Sequence, residues 1–67
     1  RTINKIRECR KEFSFTQADL AEKVGVSRKT INTIENCVFS PSVGLAISIA
    51  KILNKKVEDL FIIEKKE

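Results

Sequence analysis

Arg28, Lys29, Asn32 and Thr33 stand as two adjacent pairs four residues apart, a spacing that gathers all four on one face of a helix. Their types suit the edges of base pairs. Arginine or lysine donates to guanine O6 and N7, asparagine pairs bidentately with adenine, and threonine offers a hydroxyl to a base or a methyl to thymine. The pattern therefore points to reading of double-stranded DNA in the major groove. Periodicity alone leaves a second reading open, in which the four are a solvated helix face. Catalytic chemistry has no comparable set. The chain has no histidine and only two cysteines, Cys9 and Cys37, with no CxxC pair, and it lacks a glycine-rich phosphate loop or carboxylates at a workable spacing. The sequence thus predicts no enzyme, no metal site and no cofactor.

A reading face needs a helix held from behind, and the segment from Gln17 to Asn36 supplies one. Leu20, Ala21 and Val24 make an apolar stripe, Gly25 tolerates a positive φ, and Val26, Ile31 and Ile34 restart the stripe after it. This is a helix-turn-helix pattern over about residues 17–36. Thr16 with Asp19 three residues on fits a capping box at the start of the first of these helices, and Ser27 fits the N-cap of the second. Thr16, Gln17, Ser27, Thr30 and Asn36 are polar groups at or near helix ends, where they can meet phosphate oxygens or serve as caps. Arg10 and Glu35 have another role. If the first helix crosses the end of the recognition helix, they form a bidentate ion pair that fixes the helix and keeps its acid away from phosphates.

The remaining elements must close a core behind that helix. Ile3, Ile6, Cys9 and Phe13 predict an amphipathic first helix over residues 3–13 with a buried cysteine. Pro41 places residues 37–41 in a loop, from which Phe39 is expected to plug the core. Residues 42–53 predict a central helix with Leu45, Ala46, Ile49, Ala50 and Leu53 inward and Ile47 and Ile52 widening the stripe, closed by Asn54 in a left-handed conformation. A short helix from Val57 to Leu60 or Phe61 follows. Phe61, Ile62 and Ile63 then predict a short strand ahead of the charged tail. That strand must pair, either with residues 2–4 or with its own copy in a second subunit, and it is assigned as the dimer interface, the alternative being that Ile62 and Ile63 cover the end of the core.

The chain has 67 residues, 13 Lys plus Arg against 9 Asp plus Glu, and a net charge of +4. That length predicts one domain, residues 1–67, whose core gives a stability small enough for dimerisation to matter. The charge is unevenly spread: +3 over residues 1–15, zero over residues 16–41, +3 over residues 42–56 and −2 over residues 57–67. DNA binding then rests on a few placed side chains more than on a broad basic patch. No apolar run is long enough to span a bilayer, and the first residues lack a signal-peptide core. A soluble, cytoplasmic protein with no membrane partner is expected.

The run T-Q-A-D-L-A-E-K-V-G-V-S-R-K-T-I-N-T-I-E-N, followed by F-S-P-S and the helix ending K-I-L-N-K-K-V-E-D-L-F, resembles the Xre/Cro family of lambda-repressor-like DNA-binding domains. The resemblance covers nearly the whole chain. It implies an all-α, compact five-helix domain that binds operator DNA as a dimer, with Gln17 and the face of Arg28, Lys29, Asn32 and Thr33 at the DNA. The R-K-T-I-N-T-I-E and D-L-F-I-I-E-K segments are similar to short stand-alone repressors of the cytolysin-operon type. Four positions depart from the family pattern: Cys37 and Val38 replace glycine and a basic residue, Lys56 replaces a Ser or Thr cap, and Gly44 replaces a better helix former. The expected function is a homodimeric repressor reading a pseudo-palindromic operator. A helix-turn-helix antitoxin or adaptor is the alternative, and the sequence names no small-molecule effector.

Overall fold

The computed structural model describes residues 2–63. Arg1 and residues 64–67 of the predicted tail lie outside the described residues, as do the side chains of Thr2 and Ile63. Five helices are framed by two short strands: β1 (Thr2–Asn4), α1 (Ile6–Glu12), α2 (Gln17–Val24), α3 (Arg28–Glu35), α4 (Val43–Ile52), α5 (Val57–Leu60) and β2 (Phe61–Ile63). Ile6, Leu20, Ile31, Ile34, Ile49, Leu53 and Leu60 are fully buried, so all five helices contribute to one core. Phe15, Val24, Val26, Leu45, Ile52, Val57 and Phe61 pack around it. Cys9 is buried at its edge, and burial raises its thiol pKa above the ordinary value, which leaves it a small hydrophobe rather than a nucleophile.

The first helix starts later than its periodicity suggests. Residues 2–4 form a strand instead, antiparallel to the far end of the chain with Thr2 opposite Ile63, Ile3 opposite Ile62 and Asn4 opposite Phe61. The β-branched residues at both ends favour the pairing, and the Lys5 N–H adds a bond to the Leu60 carbonyl at 2.9 Å. Lys5 cannot cap α1 with its side chain. The Asn4 side-chain oxygen Oδ1 accepts from the Ile6 N–H at 3.3 Å instead. The C-terminal strand thus finds its partner within the chain.

Three apolar residues expected in the core lie outside it. Phe13 is 41% exposed and stacks on Phe15 with ring centroids 5.4 Å apart, because α1 ends at Glu12 and Ser14 turns left-handed at φ 59°. Phe39 is 52% exposed. Cys37 is left-handed at φ 61°, and the N–H groups of Val38 and Phe39 both bond to the Thr33 carbonyl, at 2.9 and 3.3 Å. The chain is folded back along α3, which carries Phe39 away from the core. Ile47 is 43% exposed, while Ala46, Ile49, Ala50 and Leu53 form the buried side of α4. The apolar stripe of α4 is therefore narrower than the sequence suggests, and Ile47 faces outward.

Candidate nucleic-acid interface

The turn between α2 and α3 is set by local chemistry. Gly25 adopts φ 80°, and its N–H and that of Val26 both bond the Ala21 carbonyl, at 2.8 and 3.0 Å. This left-handed cap ends α2 where a side chain would be strained. At the start of α2 the Thr16 hydroxyl accepts from the Asp19 N–H at 3.0 Å and the Asp19 carboxylate from the Thr16 N–H at 2.9 Å. Those two bonds with Thr16 hold the Asp19 carboxyl below its ordinary pKa. Ser27 caps α3 by accepting from the Thr30 N–H at 3.1 Å, and its hydroxyl also bonds the Thr30 hydroxyl at 3.0 Å.

Burial of Ile31 and Ile34 orients α3. Arg28 and Lys29 are then exposed, and Asn32 and Thr33 are half-buried beside them. The four side chains are not equivalent. Among the described residues, neither Arg28 nor Lys29 is paired with an acid or held by a side-chain hydrogen bond, so both are free to reach a ligand. The Thr33 hydroxyl donates to the Thr30 carbonyl at 2.9 Å. Its oxygen still accepts and its methyl is unoccupied. Asn32 is bonded on both sides: Nδ2 donates to Gln17 Oε1 at 3.4 Å and Oδ1 accepts from Asn36 Nδ2 at 3.1 Å.

Behind this face sits a buried carboxylate. The Glu35 side chain is fully buried, and Arg10 grips it with Nε to Oε2 at 2.8 Å and Nη2 to Oε1 at 3.2 Å, while Arg10 Nη1 donates to the Phe15 carbonyl at 2.8 Å. Gln17 Nε2 adds a third donor at 3.1 Å and Arg7 Nε a fourth at 3.3 Å. Burial alone would raise the Glu35 pKa. The hydrogen bonds from Arg10, Gln17 and Arg7 and the Arg10 charge outweigh it and hold the carboxyl below its ordinary range. The arrangement ties α1, the start of α2 and the end of α3 together without leaving a free negative charge beside the exposed face.

Sequence reasoning missed Arg7, which also donates through Nη2 to Asn36 Oδ1 at 3.3 Å. The available signal was its position one turn before Arg10 on the same face of α1. Asn4 was missed as well: its Nδ2 donates to the Ile34 carbonyl at 2.8 Å, fastening β1 to the C-terminal end of α3. Thr16, Gln17, Ser27 and Thr30 lie at the two helix N-termini, and Asn36 lies at the C-cap of α3.

Phe61 and Ile62 belong to a different surface. Phe61 is half-buried against the core and, with Pro41, Val43, Ala46, Ile47 and Val57, lines a shallow apolar groove. Ile63 enters the description only through its backbone pairing with Thr2. Among the described residues no three metal-binding side chains converge, and no helix is long and apolar enough to cross a membrane.

Comparison with known proteins agrees with this architecture. The helix-turn-helix family model matches residues 6–60. An uncharacterized HTH-type transcriptional regulator of Methanocaldococcus jannaschii is 48% identical over 64 residues, covering 96% of this chain and 97% of its own. Another, from Archaeoglobus fulgidus, is 44% identical over 63 residues, covering 94% of this chain and 89% of its own. Among solved structures, the N-terminal DNA-binding domain of SinR from Bacillus subtilis superposes with a TM-score of 0.77 at 32% identity, over 92% of this chain and 90% of that domain. The chain belongs to the helix-turn-helix family of Xre/Cro-type transcriptional regulators, and the matched segment contains every residue of the polar face described above.

Proposed function

We propose that this regulator binds operator DNA sequence-specifically, as a homodimer, and represses transcription in the cytoplasm. The observation that carries the reading is the two-sided character of α3. Ile31 and Ile34 are buried behind it, while Arg28 and Lys29 project freely from its first turn with Asn32 and Thr33 one turn on. Arg28, Lys29, Asn32 and Thr33 would meet base edges, and Thr16, Gln17, Ser27, Thr30 and Asn36 phosphates on either side. Arg10 and Glu35 would hold the recognition helix in place and stay off the DNA. A protein-binding face would be more apolar than this one.

The same reading takes β2 as the dimer element. Alternation along the strand turns Phe61 inward and Ile62 to the opposite face of the sheet, directly across from Ile3. Both isoleucines are half-buried within one chain, and a second copy would cover what remains. Two copies would present their α3 helices to successive major grooves, about 34 Å apart. Selection of binding sites from random duplexes tests the proposal. It should return pseudo-palindromic sites with half-site centres roughly 10 base pairs apart, and recovery of no preferred sequence would remove the DNA-reading assignment.

A further inference from the structure

Five polar side chains from three elements close into a ring over the C-terminal half of α3. Arg7 Nη2 donates to Asn36 Oδ1 at 3.3 Å, Asn36 Nδ2 to Asn32 Oδ1 at 3.1 Å, Asn32 Nδ2 to Gln17 Oε1 at 3.4 Å, and Gln17 Nε2 to Glu35 Oε1 at 3.1 Å. Arg7 Nε closes the circuit on the same Glu35 oxygen at 3.3 Å. A guanidinium only donates and a carboxylate only accepts. With those two groups at its ends, the run of three amides can be satisfied in one sense alone. Turning any one amide over would set N–H against N–H at one neighbour and oxygen against oxygen at the other.

Asn32 is the ring member on the reading face. A bidentate contact to adenine depends on which amide atom points at N6 and which at N7. The ring fixes that choice before DNA arrives, and each amide keeps one hydrogen and one lone pair for an incoming partner.

We propose that Arg7, which lies outside the helix-turn-helix, is a positioning residue for base reading: as donor at the head of the ring, opposite Glu35 at its foot, it holds Asn36 and through it the orientation of Asn32. This rests on the DNA-reading function proposed above. Arg10 makes the two shorter bonds to Glu35, so loss of Arg7 leaves the packing of α3 in place. Arg7 is 50% exposed, and the competing role is a direct contact to phosphate.

The two roles separate experimentally in the full chain carrying Arg7→Met or Arg7→Lys. In the protein without DNA, Arg7→Met should displace the side-chain amide resonances of Asn36, Asn32 and Gln17 together; movement of Asn36 alone would overturn the ring. On DNA, the ratio of affinities for the selected operator and for a random duplex should fall about three- to tenfold, the effect of losing one orienting hydrogen bond. The salt dependence on the random duplex should not change. Arg7→Lys keeps the charge but loses the planar fork, so the ratio should fall there too, by less, and a lysine variant equal to wild type would overturn the proposal. Equal loss on both duplexes with a salt slope lower by about 0.9 would assign Arg7 to phosphate instead. If wild-type protein fails to distinguish operator from random duplex, the DNA-reading function falls, while the amide spectra still decide the ring.

Discussion

Replacing Arg10 by Met tests what holds the recognition helix. The substitution keeps an unbranched apolar stem and removes three hydrogen bonds, two to Glu35 and one to the Phe15 carbonyl. Stripping a buried carboxylate of every partner costs about 3–5 kcal/mol. Here Glu35 keeps Gln17 at 3.1 Å and Arg7 at 3.3 Å, both longer than the lost Nε bond of 2.8 Å. The expected loss is therefore about 2–3 kcal/mol, smaller than for a carboxylate left without partners. In a domain of this size that lowers the melting temperature by roughly 10–20 °C.

Arg10→Met/Glu35→Leu removes the stranded charge along with its partner, and an apolar pair of similar volume should recover at least half of the single-mutant loss. Urea unfolding of wild type, Arg10→Met, Glu35→Leu and the double variant, followed by circular dichroism at neutral pH, gives the four free energies, with equal slopes confirming that the unfolded states are comparable. A loss below about 1 kcal/mol for Arg10→Met, or additive effects in the double variant, would show that the pair is no more than a surface ion pair and that α3 is held by apolar packing alone.

Four further outcomes follow from particular positions. Gly44 lies in the first turn of α4 with nothing within 4 Å of an added Cβ, so Gly44→Ala should raise stability by about 0.5–1 kcal/mol, whereas Gly25→Ala, at φ 80°, should lower it by about 1 kcal/mol; thermal melts compare the two. Arg28→Ala should weaken operator binding by about 1–3 kcal/mol without altering the melt, while Gln17→Ala, which removes a phosphate donor together with the bond that orients Asn32, should weaken every duplex and the operator most; mobility-shift titrations on operator and random duplexes measure both. Glu35 and Asp19 are both held below the ordinary carboxylate range, so their stabilisation is present above the unfolded carboxylate pKa of about 4 and lost as pH falls through the folded values. With no histidine in the chain, a melting temperature that drops between about pH 7 and 5.5 would contradict that assignment. Ile62→Lys should shift the protein toward monomer in sedimentation equilibrium without unfolding it, and an unchanged dimer would remove β2 as the dimer element.

The elements that were legible in the sequence are those whose cause is local. The Thr16–Asp19 box, the Ser27 cap, Gly25 at φ 80° and Asn54 at φ 56° each involve residues at most a few positions apart, so side-chain chemistry sets them without reference to the fold. The start of α1 was not legible, because residues 2–4 are captured by a strand about sixty residues away. Ile3 continues the helical stripe of Ile6 and Cys9, and the stripe carries no record of the pairing that overrides it. Phe13 and Phe39 show the same limit at helix ends. Periodicity assigns a large aromatic to the core, but the left-handed turns at Ser14 and Cys37 swing the chain before the ring can be buried.

The polar face was legible as a set of residue types and not as an arrangement. Arg28, Lys29, Asn32 and Thr33 looked like four equivalent readers, yet two have free ends and two are already bonded to neighbours. The difference arises where α1, α2 and α3 converge on Glu35, a geometry no spacing along the chain encodes. It also answers the electrostatic question raised by a helix-turn-helix segment with no net charge. Glu35 is buried and met by two guanidinium groups from α1, so the basic N-terminal segment is brought beside the neutral one and the local balance at the end of α3 becomes positive. The interface therefore combines a modest positive field with side chains fixed in advance. On the DNA-reading function proposed above, discrimination between bases would then depend on orientation more than on total charge.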